Sequence, residues 1–191
     1  MSSWKHCIIS LIDLIGIKKK LFDKKSKGIR LMRQMHQIVH TQINNEMPYH
    51  DHAYLWNDSV LLLAYVDEKK TLYEPVMREV NKLKIEINRL SKSYVICVKG
   101  KAIPPPKISN STPINGNITN QTKDTYLKAS SMALANCFAI DKTLKEHKKT
   151  WYIDSWIARH IKTSQKSVKD YVEMLPTNRK RYVHMYKNDL W

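Results

Sequence analysis

The sequence predicts an α/β (α+β) fold, with a ferredoxin-like or palm β-α-β-β-α-β core whose helices lie on one face and which a further helix and strand extend. Three observations predict it. A nearly continuous apolar run, His6–Ile15, is typical of a central strand. Two amphipathic helical patterns alternate with short β-branched segments. Only four glycines occur in the chain, which argues against a loop-rich all-β fold.

The first two elements follow from apolar spacing. His6–Ile15 is rich in β-branched residues and reads as a strand buried on both faces. Gly16 ends it. Apolar residues then recur at helical spacing from Ile17 to Met47, and Pro48 closes this predicted helix.

A hairpin, a helix and a strand complete the core. The strands Ala53–Trp56 and Val60–Val66 are joined through Asn57-Asp58, a dipeptide suited to a tight turn. Thr71–Leu90 has one apolar stripe and reads as a helix, and Tyr94–Val98 reads as the next strand. In such a plan the first and third strands are neighbours.

The second half of the chain is less regular. Gly100–Lys123 is a long loop rich in Pro, Asn, Ser and Thr, and we expect it to cover a bound ligand. The elements predicted after it are a helix over Thr125–His147, a strand over Thr150–Ile157, a helix over Ser164–Met174 and an edge strand over Arg181–Tyr186. We therefore expect one domain over residues 1–160, containing the loop at 100–123, and a basic C-terminal helix/strand extension over residues 161–191.

Charge is the strongest compositional signal. The 191 residues carry a formal net charge of +16 at pH 7, which indicates an anionic partner. Nucleic acid, a membrane surface and a nucleoside triphosphate are all open at this point. Lysine-rich usage that merely reflects genome composition is the alternative.

The cysteines and the N-terminal apolar run indicate the cellular compartment of the protein. Three cysteines lie far apart in apolar segments without a CxxC pair, which favours a reducing, cytoplasmic compartment. The run Cys7–Ile17 is too short to span a bilayer and contains Asp13, and no signal peptide is visible. We expect no membrane partner.

Two carboxylates point to a site. Asp13 lies within a buried strand, where a charge is costly unless it is paired, hydrogen-bonded or bound to a metal. Asp58 lies 45 positions later at the hairpin tip, which the β-α-β-β plan places beside the end of the first strand. Two converging carboxylates suit Mg²⁺ and a triphosphate. Pairing of Asp13 with a buried lysine, with Asp58 only shaping a turn, is the alternative.

These motifs resemble a known family. Ile12-Asp13-Leu14-Ile15-Gly16-Ile17 resembles the "D-I-x-G-F" first strand of class III nucleotidyl (adenylate/guanylate) cyclases, and Trp56-Asn57-Asp58-Ser59-Val60 resembles their "G-D" hairpin. The order of elements is similar over residues 6–157. The small free-standing prokaryotic members are the relevant type, and the palm domain of CRISPR polymerases is a more distant likeness.

The resemblance implies specific roles. Asp13 and Asp58 would be the catalytic pair that holds two Mg²⁺ or Mn²⁺ ions, assisted by the Leu14 carbonyl. Tyr54 stands where adenylate cyclases often carry a base-reading lysine. The substrate would be a nucleoside triphosphate, the product a cyclic nucleotide signal with a role in antiviral defence, and the site would form at a homodimer interface.

A later motif departs from the family. Leu134–Asp141 is similar in apolar pattern to the "V-N-x-A-x-R-L-E" helix, but its asparagine and transition-state arginine fall on Ala135 and Ala139. The basic residues that are candidates to contact the nucleotide in their place are Lys99, Lys101, Lys123 and Lys128. The alternative is a catalytically degenerate module that binds a nucleotide or RNA through its basic surface.

Overall fold

The computed structural model describes residues 4–67, 72–102, 131–144, 147–174 and 179–191. The strands are β1 (Lys5–Leu14), β2 (His52–Trp56), β3 (Ser59–Tyr65), β4 (Ser93–Ala102), β5 (Trp151–Asp154), β6 (Val168–Met174) and β7 (Arg179–Tyr186). The helices are α1 (Ile17–Asp23), α2 (Lys25–Glu46), α3 (Tyr73–Asn88), α4 (Ser131–Leu144) and α5 (Ser155–Ala158).

All seven strands form one sheet, in the order β2-β3-β1-β4-β5-β7-β6. β1 is antiparallel to both β3 and β4, and β4 is parallel to β5. The first and third strands are therefore neighbours, as the ferredoxin-like plan requires, and the predicted fold class is confirmed.

The sheet separates two apolar cores. Ile8 and Ile12 of β1 belong to the core that α2 and α3 cover, whereas Ile9 and Leu11 belong to the core that α4 covers. This alternation explains why β1 reads as an uninterrupted apolar run, because both of its faces are buried. The two core helices lie on one face as predicted, and the additional helix covers the other.

Gly100 permits the close packing of α4 on the sheet. A Cβ atom at this position would lie 2.4 Å from the Cβ of Ala133, closer than packed carbon atoms approach. The glycine within β4 is thus explained by helix–strand packing.

The single helix predicted from Ile17 to Met47 is two helices. Lys24 separates α1 from α2 with φ −149° and ψ 83°, which is not helical. The two helices then pack closely, since a Cβ atom on Gly28 would lie 2.6 Å from a methyl group of Leu21. The sequence pattern did not predict this break, because apolar residues recur at helical spacing on both sides of it.

The prediction of a helix over Ser164–Met174 is wrong. Residues from Val168 onward form β6, in which Val172 and Met174 are buried while Tyr171 and Glu173 are exposed. This is the two-residue alternation of a strand with one solvated face. The prediction that Arg181–Tyr186 lies at the sheet edge is also wrong, because β7 is flanked by β5 and β6.

The strand predicted to reach Ile157 ends at Asp154. The Asp154 carboxylate accepts a hydrogen bond from the Trp156 backbone N–H at 3.0 Å and so caps the short helix α5. Of the predicted loop Gly100–Lys123, the first three residues belong to β4 and the remainder lies outside the described residues. No helix in the described part of the chain is long and apolar enough to cross a membrane.

Candidate functional site

A cleft of about 980 Å³ opens at the end of the sheet where β1 ends and β4 begins. Its charged and aromatic lining comprises the carboxylates Asp13 and Asp58, the lysines Lys92, Lys148, Lys149 and Lys187, and the tyrosines Tyr94 and Tyr152. A volume of this size is at the upper end of the range for small-molecule sites.

Two hydroxyl groups hold the carboxylate of Asp13. In the sheet register Asp13 lies opposite Ser59 on β3 and opposite Tyr94 on β4. Ser59 Oγ donates to Oδ1 at 2.6 Å, and Tyr94 Oη donates to Oδ2 at 2.8 Å. These bonds offset the cost of placing a half-buried charge on this strand.

The hairpin tip is attached to the end of β1. Asn57 adopts a left-handed conformation, φ 43°, which asparagine tolerates better than most residues. The Asp58 carbonyl then accepts a hydrogen bond from the Leu14 N–H at 3.1 Å. Asp13 and Asp58 therefore line the same cleft. That their carboxylates lie within reach of a shared metal ion stays a prediction.

A third carboxylate approaches from α4. Tyr94 Oη lies 2.7 Å from Asp141 Oδ1, so one phenol oxygen stands between the carboxylates of Asp13 and Asp141. Burial raises the pKa of the Tyr94 hydroxyl well above its usual range, and the two nearby carboxylates raise it further. Tyr94 is consequently a neutral donor that links the sheet to α4.

Four lysines surround the carboxylates, from three loops. Lys92 precedes β4, Lys148 and Lys149 precede β5, and Lys187 follows β7. The Lys149 N–H donates to the Tyr152 hydroxyl at 3.2 Å. Four cations against two lining carboxylates make the cleft suited to a polyanion.

The C-terminal segment fixes the last of these loops. Thr150 Oγ1 donates to the Lys187 carbonyl at 2.9 Å, and Lys84 forms an ion pair with Asp189. The Leu190 N–H donates to the buried Asn81 side chain at 3.1 Å. The position of Lys187 at the cleft thus depends on anchoring of the tail to α3.

The structure does not bring Lys99 and Lys101 to the cleft. Tyr94 pairs with Asp13 at the cleft end of β4, whereas Lys99 pairs with Ile8, five residues and about 16 Å further along the strand. The Lys99 ammonium instead lies 3.9 Å from the centroid of the Trp156 ring. Lys101 lies further still from the cleft.

The remaining predicted nucleotide contacts are Tyr54, Lys123 and Lys128. Tyr54 is on β2, packs against the core that α4 covers, and has the His52 ring 6.3 Å away. Lys123 and Lys128 lie outside the described residues. Ala135 and Ala139 are half-buried on α4 and present no charged or polar group.

The donor set around Asp13 fits a hard divalent cation. Mg²⁺ is usually held by one or two carboxylates together with substrate phosphates and water. In the described ranges no three His, Cys, Asp or Glu side chains gather closely enough to hold a metal without other ligands. Asp13, Asp58 and the Leu14 carbonyl therefore suit an ion that a bound phosphate completes.

The charged and aromatic cleft residues missing from the sequence prediction are Tyr94, Tyr152 and the four lysines, and Asp141, which contacts Tyr94 from α4, was missed as well. Lys148 and Lys149 had a visible signal, since they directly precede the apolar strand that begins at Trp151. Lys187 had none, because only tertiary packing brings the C-terminal tail to this end of the sheet. The same kind of packing brings Asp141 of α4 to Tyr94.

The sequence matches no protein-family model and no curated protein. Solved structures do resemble the fold. A bacterial light-regulated adenylyl cyclase superposes with TM-score 0.65 and 11% identity over 98% of this chain, which spans about half (53%) of that protein. The adenylyl cyclase CyaB from P. aeruginosa gives TM-score 0.61 and 9% identity, covering 99% of this chain and 98% of that one. The guanylyl cyclase Cya2 gives 0.56 and 9%, covering 100% and 99%.

These likenesses establish the fold. The chain has the α/β architecture of class III adenylyl and guanylyl cyclases over nearly its whole length. The resemblance seen in the two short motifs of β1 and the β2–β3 hairpin is thereby confirmed at the level of fold.

Proposed function

We propose that this protein is a nucleotidyl cyclase that converts a nucleoside triphosphate into a cyclic nucleotide in the cleft where β1 ends and β4 begins. The observation that carries the proposal is the joint position of Asp13, Asp58 and four lysines around one cleft. The cyclase fold supports it, since CyaB and Cya2 are an adenylyl and a guanylyl cyclase of similar length.

The carboxylates supply a cation site. Asp13, Asp58 and the Leu14 carbonyl would hold two Mg²⁺ or Mn²⁺ ions. Bound there, the ions would neutralise triphosphate charge and lower the pKa of the attacking hydroxyl. Ser59 and Tyr94 keep the Asp13 side chain oriented through their two hydrogen bonds.

The lysines orient the triphosphate. Lys149 and Lys187 flank the cleft from two loops and are suited to pair with the β- and γ-phosphates. The ribose 3′-oxygen would then attack the α-phosphorus. The bond to the bridging oxygen breaks, pyrophosphate leaves, and the hydroxyl proton passes to water.

The outer face of α4 supports a dimer. Phe138 is 51% exposed on this helix, beside the half-buried Ala135 and Ala139. We propose that this apolar face meets a second copy of the chain, and that the substrate site lies near that interface. Because the two alanines provide no donor, the cleft lysines would stabilise the transferring phosphate.

A second candidate function follows from the same two alanines. Without the asparagine and arginine that the family motif carries, the cleft could bind a nucleotide, or the basic surface RNA, without turnover. The proposed setting, a cytoplasmic signalling role in antiviral defence, derives from likeness to small free-standing prokaryotic cyclases alone.

Incubation with ATP, GTP, CTP and UTP in turn, with Mn²⁺ or Mg²⁺, tests the proposal. We expect one triphosphate to give a cyclic mononucleotide and an equal amount of pyrophosphate, identified by chromatography and mass spectrometry, and EDTA to stop the reaction. Calorimetric binding of a triphosphate without any product would favour the non-catalytic module. Absence of both triphosphate binding and product would contradict the cyclase and the nucleotide-binding module, and would leave RNA binding through the basic surface as the second function.

A further inference from the structure

The β6–β7 hairpin carries an exposed face distant from the cleft. Val172 and Val183 point from it into the core that α4 covers. On the opposite face the direct cross-strand pairs are Lys169 with His184, Tyr171 with Tyr182, and Glu173 with Lys180. We call these six residues the tyrosine–lysine face; none of them lines the cleft.

Two tyrosines form the centre of this face. The rings of Tyr171 and Tyr182 have centroids 4.0 Å apart at a tilt of 31°, and their hydroxyls are hydrogen-bonded to each other. The residues are 48% and 42% exposed. A pair of large rings that contact each other and remain accessible to solvent can stack a further planar group.

Cations flank the tyrosines at both ends. Lys180 lies on one side, opposite Glu173, and Lys169 lies on the other, opposite His184. Arg159, the C-cap residue of α5, is close to this face as well. Its charge and that of Lys169 add to burial in lowering the pKa of the His184 imidazole. The tyrosine–lysine face thus places cations on both sides of the ring pair, and Glu173 is the one carboxylate among its six residues.

A second pair of a cation and an aromatic ring lies toward the centre of the sheet from the tyrosine–lysine face. Trp156 on α5 is 43% exposed, and its ring lies 3.9 Å from the Lys99 ammonium. The distance across the sheet from β4, which carries Lys99, to β6, which carries Tyr171, is three strand spacings, or about 14 Å. Tyr182 lies five residues, about 16 Å, along β7 from the cleft residue Lys187.

We propose that the tyrosine–lysine face binds single-stranded nucleic acid. Bases would stack on Tyr171 and Tyr182, and the phosphates would contact Lys169, Lys180 and Arg159. Only single strands expose the faces of their bases, so the aromatic pair selects against duplexes, whereas the net charge of +16 attracts any polyanion.

Fluorescence anisotropy with labelled single-stranded RNA and DNA oligonucleotides tests the face. Blunt duplexes and anionic phospholipid vesicles serve as comparison ligands. We expect single strands to bind more tightly than duplexes. Tyr171→Ala and Tyr182→Ala should each weaken single-strand binding by about five- to a hundredfold, the effect of losing one stacked base. Tyr182→Phe, which keeps the ring, should bind like the wild type.

The lysines provide an independent test should an alanine variant of the tyrosines fail to fold. Lys169→Ala and Lys180→Ala should each reduce the slope of log affinity against log salt by about 0.7, the value for one lost contact with a single strand. Lys82→Ala removes an exposed charge from α3 and should change the slope little.

Tyr49→Ala is the matched control, since Tyr49 is 42% exposed but lies outside the face. It should leave binding unchanged, and the tyrosine variants should leave triphosphate turnover unchanged. Equal losses in Tyr49→Ala and Tyr182→Ala would overturn the proposal. So would duplex binding as tight as single-strand binding, or tyrosine variants that lose only vesicle binding, which would indicate a membrane surface instead.

Discussion

Tyr94 Oη lies 2.8 Å from Asp13 Oδ2, and the two residues are direct partners in the β1–β4 register. This relationship explains how a carboxylate is accommodated on a strand that is otherwise buried. The same hydroxyl lies 2.7 Å from Asp141, so the side chain that orients Asp13 also connects it to α4. Changes to Tyr94 should therefore affect the cleft and the packing of α4 together.

Tyr94→Phe tests this link. Removing a hydrogen bond to a charged group costs about 1.5–3 kcal/mol, so the variant should lose stability of that order and about tenfold in triphosphate turnover. Urea unfolding and product chromatography measure the two effects. Tyr65→Phe is the control, because the Tyr65 hydroxyl is buried and finds no hydrogen-bond partner in the described part of the chain. Equal effects in both variants would contradict the role of Tyr94.

The cleft lysines should determine affinity for the triphosphate. Lys149→Ala and Lys187→Ala each remove one charged contact, so each should weaken binding about tenfold. Calorimetry with a triphosphate analogue that cannot cyclise measures this, at low and high salt. Lys142→Ala, an exposed change on α4 outside the cleft lining, should bind normally. Unaltered affinity in both cleft variants would show that the phosphates do not contact Lys149 or Lys187.

Asp154 should make stability depend on pH. Burial raises the pKa of its carboxyl above the ordinary value of 3.8, although the Trp156 N–H and Arg181 act in the opposite direction. Between the ordinary and the raised pKa the folded protein keeps a proton that the unfolded chain releases, so this contribution to stability falls as pH rises. In urea unfolding from about pH 4 to pH 7, Asp154→Asn should gain stability relative to the wild type with increasing pH. A difference that does not vary with pH would refute this.

The cysteines should be chemically inert in the folded protein. Burial raises the pKa of the Cys7 and Cys97 thiols to about 12, and that of Cys137 well above its usual range. The thiolate is the reactive form, so labelling by an aromatic disulfide reagent near pH 8 should be at least a hundredfold slower than in denaturant. Rapid labelling of one thiol without denaturant would show that its core opens locally.

The arrangement of the core was predictable from the sequence because buried strands and tight turns have characteristic residue patterns. β1 is apolar throughout since both faces are covered, and the β2–β3 hairpin follows from Asn57-Asp58. The prediction failed at Ser164–Met174, where alternation of Val172 and Met174 with exposed Tyr171 and Glu173 was taken for a helical pattern. It also missed the break at Lys24, which no glycine or proline marks.

The candidate site was predicted only in part. Asp13 was found because it interrupts an otherwise apolar strand. Asp58 was found because it lies at the tip of a short hairpin next to that strand. Both features are visible within a few residues of sequence. Lys99 and Lys101 were nominated from their place at the end of a shorter strand. The structure extends that strand to Ala102 and carries both lysines away from the cleft. Lys187 reaches the cleft, and Asp141 reaches Tyr94, through long-range packing, which no local pattern records.

Metal-dependent product formation by Asp13→Asn and Asp58→Asn is the most direct measurement of the central claim. Each substitution removes a negative charge with little change in shape, so the variants should fold and bind single-stranded nucleic acid at least as well as the wild type. Without the carboxylates the ions cannot be held against the triphosphate, and cyclic nucleotide should fall below detection in both. Wild-type levels of product from either folded variant would contradict the account.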